Sequence, residues 1–431
     1  MAEQMNVAMM DQSKLAVNGG DPVRSTSFPE WPVFGHDEID AASSVLASGR
    51  VNYWTGEEGR QFEREFASFA GTKYAVAVAN GSVALELALY ALEIGPGDEV
   101  IVPSRSFVAS GSCVVVRGAT PVFADVDPDS QNITADTVAR VLTPRTRAII
   151  AVHLAGWPCD IDPILAVAYE RGLKVIEDCA QAQGATYKGR PVGSLGHAAA
   201  FSFCQDKIMT TCGEGGMLTT DDRAVWERAW SFKDHGKNYE AAHRRVNSNG
   251  FRWVHDSCGT NWRMTEMQSA VGRVLLRKVP SWLERRQHLA ATLNRYLGDI
   301  AALRIPARPP EIRHANYKCY VFLRPEHLHE GWNQSRIIEA IKAEGVPCFA
   351  GSCSEIYLEG GLKNFRPPVR LSVARELGET SLMFLVHPTL SEREMLDTYA
   401  AVEKVLRKAS KRTPSPMLSN SSELSRLRTV S

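Results

Sequence analysis

The chain has 431 residues, 44% of them hydrophobic and 23% charged, and its 49 lysines and arginines balance 49 aspartates and glutamates. Such a composition is that of a globular enzyme with a large core and more than one domain, and a net charge of zero gives no support to nucleic acid or an anionic membrane as main partner. No stretch reaches the roughly 18 apolar residues of a membrane span.

The first fourteen residues carry acidic side chains and no apolar core, so they do not form a signal peptide, and residues 1–19 are expected to be a flexible arm. Nine scattered cysteines without a C-x-x-C pair indicate neither a zinc site nor a disulfide framework. A reduced, cytoplasmic compartment is the simplest expectation.

From Phe62 onward, apolar runs alternate with helical patterns. Strands are expected at 74–79, 99–103, 121–124, 148–153 and 174–177, with helices at 82–92, 107–116 and 164–171. This rhythm is that of a largely parallel sheet covered on both faces. Two further runs, 199–203 and 216–220, are joined by a loop too short for a crossover helix, so they are expected to pair antiparallel. The expected fold is α/β: a large domain (20–274) with a mixed, mostly parallel sheet of about seven strands, then a smaller α+β domain (275–409). In the smaller part, long helices are expected near 264–300, a strand at 317–323, and helices at 334–344 and 392–408. Residues 410–431, with seven serines, are expected to be a disordered tail.

Chemistry concentrates at the strand ends. Lys207 follows Phe201-Ser-Phe203 and precedes the glycine-rich Gly213-Glu-Gly-Gly216, which makes it a candidate Schiff-base former. Asp178 closes an apolar run, where a buried carboxylate needs a partner, and a protonated pyridine nitrogen is a good one. Glu177 is its rival, but strand alternation points the two to opposite faces. Together Lys207 and Asp178 are what a pyridoxal phosphate (PLP) enzyme requires. Gln181, three residues on, is within reach of the same cofactor, and Ser202 brackets the turn before Lys207.

Asn80-Gly81-Ser82 stands where a strand meets a helix. The free N–H groups there, the hydroxyl of Ser82 and close approach at Gly81 make a phosphate cradle, unless Ser82 is simply the helix cap. Phe107 either stacks on the pyridine ring or plugs the core. Asn261 either caps the next helix or serves the site, and His153 reads as a structural histidine. The sequence indicates no metal site.

These residues stand within longer runs: Asn80-Gly-Ser-Val-Ala-Leu85, Gly95-Pro-Gly-Asp-Glu-Val-Ile-Val-Pro103, Val152-His-Leu-Ala-Gly156, Glu177-Asp-Cys-Ala-Gln-Ala182, Val192-Gly-Ser-Leu-Gly196, and Gly259-Thr-Asn-Trp-Arg-Met264. With Phe201-Ser-Phe203, Lys207 and Gly213–Gly216 they resemble the DegT/DnrJ/StrS family of PLP-dependent sugar aminotransferases, fold type I of the aspartate aminotransferase superfamily, over roughly residues 15–405. The resemblance implies that Ser82 and Ser202 bind the cofactor phosphate, Phe107 stacks on the ring, and Asp178 pairs with the ring nitrogen. It further implies that Gln181 contacts the cofactor, that Lys207 anchors it, and that Asn261 reaches the phosphate of a neighbouring subunit in a homodimer with shared active sites.

The implied reaction moves an amino group from glutamate or glutamine to a keto-sugar nucleotide. The stretch Leu15–Arg24 resembles the cyclitol-acting branch, which keeps a keto-cyclitol acceptor open. The chain departs from the family pattern in places: Ser82 replaces threonine, Ala155 replaces an aromatic residue near the substrate end, Cys212 and Cys348-Phe-Ala-Gly-Ser-Cys353 replace more familiar residues, and the usual late His-Tyr-Pro-like segment is not visible. In a related dehydratase branch the lysine is replaced by histidine, so Lys207 argues against that chemistry. A nicotinamide dehydrogenase lacks its glycine fingerprint here, and a non-catalytic regulatory protein would have no use for Asp178, Gln181 and Lys207 together.

Overall fold

The computed structural model describes residues 14–244 and 252–411. Seven strands form the main sheet: β1 (Tyr74–Val78), β2 (Glu99–Pro103), β3 (Thr120–Ala124), β4 (Thr146–Val152), β5 (Lys174–Asp178), then β8 (Ala198–Ser202) and β9 (Gly216–Thr220). Between β5 and β8 lies a hairpin of two-residue strands, β6 (Thr186–Tyr187) and β7 (Arg190–Pro191). The sheet order is β1-β9-β8-β5-β4-β2-β3. β9 runs against both its neighbours and the other six run in one direction, so the expected antiparallel β8/β9 pair is present.

Alternation along these strands explains the two covered faces. Val76, Val78, Val100, Val102, Ile150 and Ile176 join one buried core, while Ala75, Ala77, Phe201 and Met217 join another on the opposite face. Nearly every residue of these strands is buried, as a sheet sandwiched between helix layers demands.

Near 264–300 a single helix, Glu266–Leu297, runs through Pro280. Its first half (Val271, Leu275, Val279, Leu283) packs on the large sheet's core; its second half (Leu289, Leu293, Leu297) packs in a separate core. The change-over therefore falls between Leu283 and Leu289, inside a helix and past residue 274. That second core surrounds a three-stranded antiparallel sheet of β10 (Leu303–Arg304), β12 (Cys319–Leu323) and β13 (Ser381–Phe384), flanked by the helices Gln334–Ala343 and Glu392–Ala409. β11 (Ile312–Arg313) instead pairs with β6 of the hairpin.

The expected flexible arm through residue 19 is corrected at its end. Leu15 is buried in the second core, and Ala16 donates its backbone N–H to Glu344. Burial of one leucine side chain, worth about 2 kcal/mol, and that bond hold this stretch in place. Residues 1–13 lie outside the described residues. So do residues 412–431 of the expected tail, whereas Ser410 is buried and bridges Leu328. Among the described residues no helix is long and apolar enough to cross a membrane.

Candidate active site

Because six strands share one direction, Val78, Pro103, Asp178 and Ser202 all end at one edge of the sheet, the edge where α/β proteins collect ligands. A cavity of about 950 Å³ opens there, lined by Gly81, Ser82, Phe107, Asp178, Gln181, Ser202 and Lys207. Seven of the eight residues singled out from the sequence thus meet in one place.

One end of the cavity is the start of the helix Gly81–Ala91. Asn80, in extended backbone, is its cap and accepts the Val83 N–H at 2.9 Å. Ser82 is therefore not the cap, and it lines the cavity. A Cβ on Gly81 would lie 2.6 Å from the Cβ of Ser202, so glycine is what lets the helix start come this close to the end of β8. The free N–H groups and two serine hydroxyls make an anion cradle of the kind helix N-termini provide. Gly81→Ala is expected to displace Ser202, lower stability by about 1–3 kcal/mol and weaken phosphate-group binding; thermal melts with and without added PLP measure both effects.

The other end is Asp178, 6% exposed. Its carboxylate accepts the Ala180 N–H at 3.1 Å and the Ser110 hydroxyl at 3.1 Å, and Ser110 is itself 2.8 Å from the Ser106 hydroxyl. Burial pushes the Asp178 carboxyl up, and these two hydrogen bonds, with the more distant Lys207 and His153 charges, offset only part of it. Among the described residues no cation forms a salt bridge to it. A cationic ring nitrogen would supply that partner.

Glu177 points the other way, as alternation requires. It accepts N–H groups of Gly193, Leu195 and Gly196 and pairs at 3.0 Å with His153, which like Glu177 is fully buried. His153 Nδ1 accepts the Cys159 N–H, so both ring nitrogens are engaged and His153 is structural. Burial pushes Glu177 up, but His153 and the Gly193 and Gly196 N–H groups outweigh it and hold the carboxyl below its ordinary range.

Lys207 lines the same cavity. Its backbone is fixed by the Trp31 indole, which donates to the Lys207 carbonyl at 2.9 Å, and by its own N–H on the Cys204 carbonyl. Its amine is 3.7 Å from Asp206 Oδ1 and 5.0 Å from the centroid of the Tyr317 ring. The Tyr317 hydroxyl donates to Asp206. Burial raises Asp206, yet Lys207, the Tyr317 hydroxyl and Lys318 together bring it below the ordinary aspartate value.

Phe107 is 66% exposed at the cavity and precedes the helix Ala109–Val116, so it does not plug the core. Gln181 lines the cavity with its Oε1 turned to the Ala155 N–H at 2.7 Å. Asn261 is apart from the rest. It is exposed, bridges Asp234 through its backbone, and does not line the cavity of its own chain; the cap of the following helix is Thr265. Trp31, Asp206, Tyr317 and Lys318 were not legible as site residues. Asp206 adjoins Lys207, but the other three carry no motif and reach the site only through the fold.

The cradle, the cation-hungry carboxylate and the lysine are arranged around one cavity as a chain that binds PLP needs, and residues 32–402 match the model of the DegT/DnrJ/EryC1/StrS aminotransferase family. The chain belongs to this family. It is an aminotransferase of fold type I. The aminotransferase from Psychrobacter cryohalolentis, known from an X-ray structure, superposes with a TM-score of 0.87 at 53% identity, over 88% of this chain and 99% of that one. The spore coat polysaccharide biosynthesis protein SpsC of Bacillus subtilis (strain 168) is 41% identical over 315 residues, 73% of this chain and 79% of its own. The GDP-perosamine synthase of Caulobacter vibrioides is 36% identical over 367 residues, 82% of this chain and 92% of its own. The names of these two relatives point to polysaccharide biosynthesis and to the synthesis of GDP-perosamine.

Proposed function

We propose that this chain is a PLP-dependent aminotransferase that carries an amino group from glutamate or glutamine to a keto-sugar nucleotide. The observation that carries this reading is that Lys207, Asp178, Gly81, Ser82 and Ser202 line one cavity. The similarity to a GDP-perosamine synthase supports a nucleotide-linked acceptor.

PLP bound here supplies an electron sink that makes the Cα proton of an attached amino acid acidic. The chain's own residues do the rest. Ser82, Ser202 and the helix N-terminus would hold the phosphate group, and Asp178 would keep a proton on the ring nitrogen. Phe107 would stack on the ring and Gln181 would contact the cofactor, both from the cavity wall. Lys207 Nζ would anchor the cofactor, and its free amine would serve as the base for the substrate Cα proton. Its fixed backbone and the Asp206–Tyr317 pair keep the amine directed into the cavity.

Asn261 is given its role by a second subunit. It is exposed and outside its own cavity, as a residue serving a neighbour's site must be. In this reading the working unit is a homodimer with shared active sites, acting in the cytoplasm.

The test is turnover with glutamate and glutamine against a panel of keto-sugar nucleotides and keto-cyclitols. A 2-oxo acid formed only in the presence of a keto-sugar nucleotide is the expected result. Turnover with keto-cyclitols alone would replace the acceptor, and no turnover with any donor would contradict the reading.

A further inference from the structure

Lys318, just before β12, lines the active-site cavity and also a second cavity of about 300 Å³ behind it, which borders Ala155, His314 and Arg308. Its ammonium lies 4.7 Å from the centroid of the Tyr317 ring, and among the described residues it makes no salt bridge. Two further cations bear on it. One is Lys207. The other is Arg286, fully buried, whose guanidinium reaches the carbonyl oxygens of Asn316 and Tyr317, at 3.4 and 3.2 Å, lies 5.2 Å from the centroid of the Trp31 ring, and leaves Nε and Nη2 without a hydrogen-bond partner among the described residues.

Against these three cations stands one nearby carboxylate, Asp206. It already accepts the Tyr317 hydroxyl and lies 3.7 Å from Lys207. Burial, with Arg286 and Lys207 adding to it and Asp206 opposing it, pulls the Lys318 amine down to about 8. A cation drawn into a protein wall without a counter-ion is costly, and an anion placed against it removes that cost. The phosphate cradle is built by other elements, at Gly81, Ser82 and Ser202, so this excess positive charge sits apart from it.

We propose that Lys318 is an anion-recognising residue on the substrate side of the cavity, taking a carboxylate or phosphate oxygen of a substrate. The proposal rests on the aminotransferase reading, in which the donor brings carboxylates and the acceptor a diphosphate. Both present the same anionic oxygen to the ammonium, and a charge-assisted hydrogen bond is the contact expected.

Binding of two probes, glutarate and inorganic pyrophosphate, to PLP-loaded wild type, Lys318→Gln and Lys318→Arg by calorimetry tests it. The glutamine variant is expected to bind one probe at least about tenfold more weakly, and the arginine variant to stay within about threefold of wild type. Loss confined to glutarate identifies the donor carboxylate; loss confined to pyrophosphate identifies the acceptor's diphosphate. Unchanged binding of both probes in Lys318→Gln, or a loss that arginine does not restore, overturns the proposal. The visible band of bound cofactor, recorded on the same samples, separates the two readings: a normal band with unchanged probe binding removes Lys318's role and leaves the aminotransferase standing.

Discussion

Lys207→Ala protein folds normally and transaminates at least about 10³-fold more slowly than wild type, because the base that moves the Cα proton is gone. The fold should survive for reasons visible at the position. The Trp31–carbonyl bond and the Lys207 N–H bond to Cys204 belong to the backbone and persist in alanine. The one ion pair lost, to Asp206 at 3.7 Å, joins a partner whose side chain is 57% exposed, and such pairs contribute at most about 1 kcal/mol. Asp206 keeps the Tyr317 hydroxyl as a donor. Parallel rate measurements and thermal melts check this. Full activity in the variant would remove Lys207 from the chemistry, and collapse of the melt would make it structural.

Asp178→Asn is expected to have opposite effects on the protein with and without PLP. Burial raises the Asp178 carboxyl above its ordinary value of 3.8 when no cation stands beside it. The folded state then holds its proton more tightly than the unfolded one, so the contribution to stability is present below 3.8 and is lost as pH rises through the raised value. At neutral pH without PLP, asparagine should therefore leave the melting point unchanged or raise it. With PLP the ring cation reverses the balance. Breaking that buried pair costs about 3 kcal/mol or more, roughly 10²-fold in cofactor affinity. Melting curves over a PLP titration at pH 7 measure both effects. A variant that binds PLP as tightly as wild type would take the ring nitrogen away from Asp178.

The parts of this architecture legible in the sequence were those where a local pattern and the fold agree. Val100–Val102 and Ile149–Val152 are apolar runs too short for helices, and they became inner strands buried on both faces. The β8/β9 pairing followed from a connection that leaves no room for a crossover. Asp178 and Ser202 were legible because each ends a strand, and Lys207 because it stands in the turn just after β8, where one direction of chain brings all three to one edge.

What escaped was set by distance along the chain. Pro280 suggests a helix break, yet the helix Glu266–Leu297 continues through it because both halves are held by cores of their own. The β6–β11 pairing joins Thr186–Tyr187 to Ile312–Arg313, two residues on each side, with no periodicity to reveal it. Ser82 and Asn80 are both good caps, and only the geometry gives the cap to Asn80 and leaves Ser82 to the cavity. Trp31, Tyr317 and Lys318 come to the site from the N-terminal stretch and the approach to β12, and nothing near them in sequence marks their destination.

The central claim is that Lys207, and no other lysine, carries PLP. The most direct measurement is borohydride reduction of the purified, PLP-loaded protein followed by peptide mapping by mass spectrometry. A single pyridoxyl group on the peptide containing Lys207, with loss of the visible band, is the predicted result. A protein with no visible band, or a pyridoxyl group on another lysine, would contradict the account.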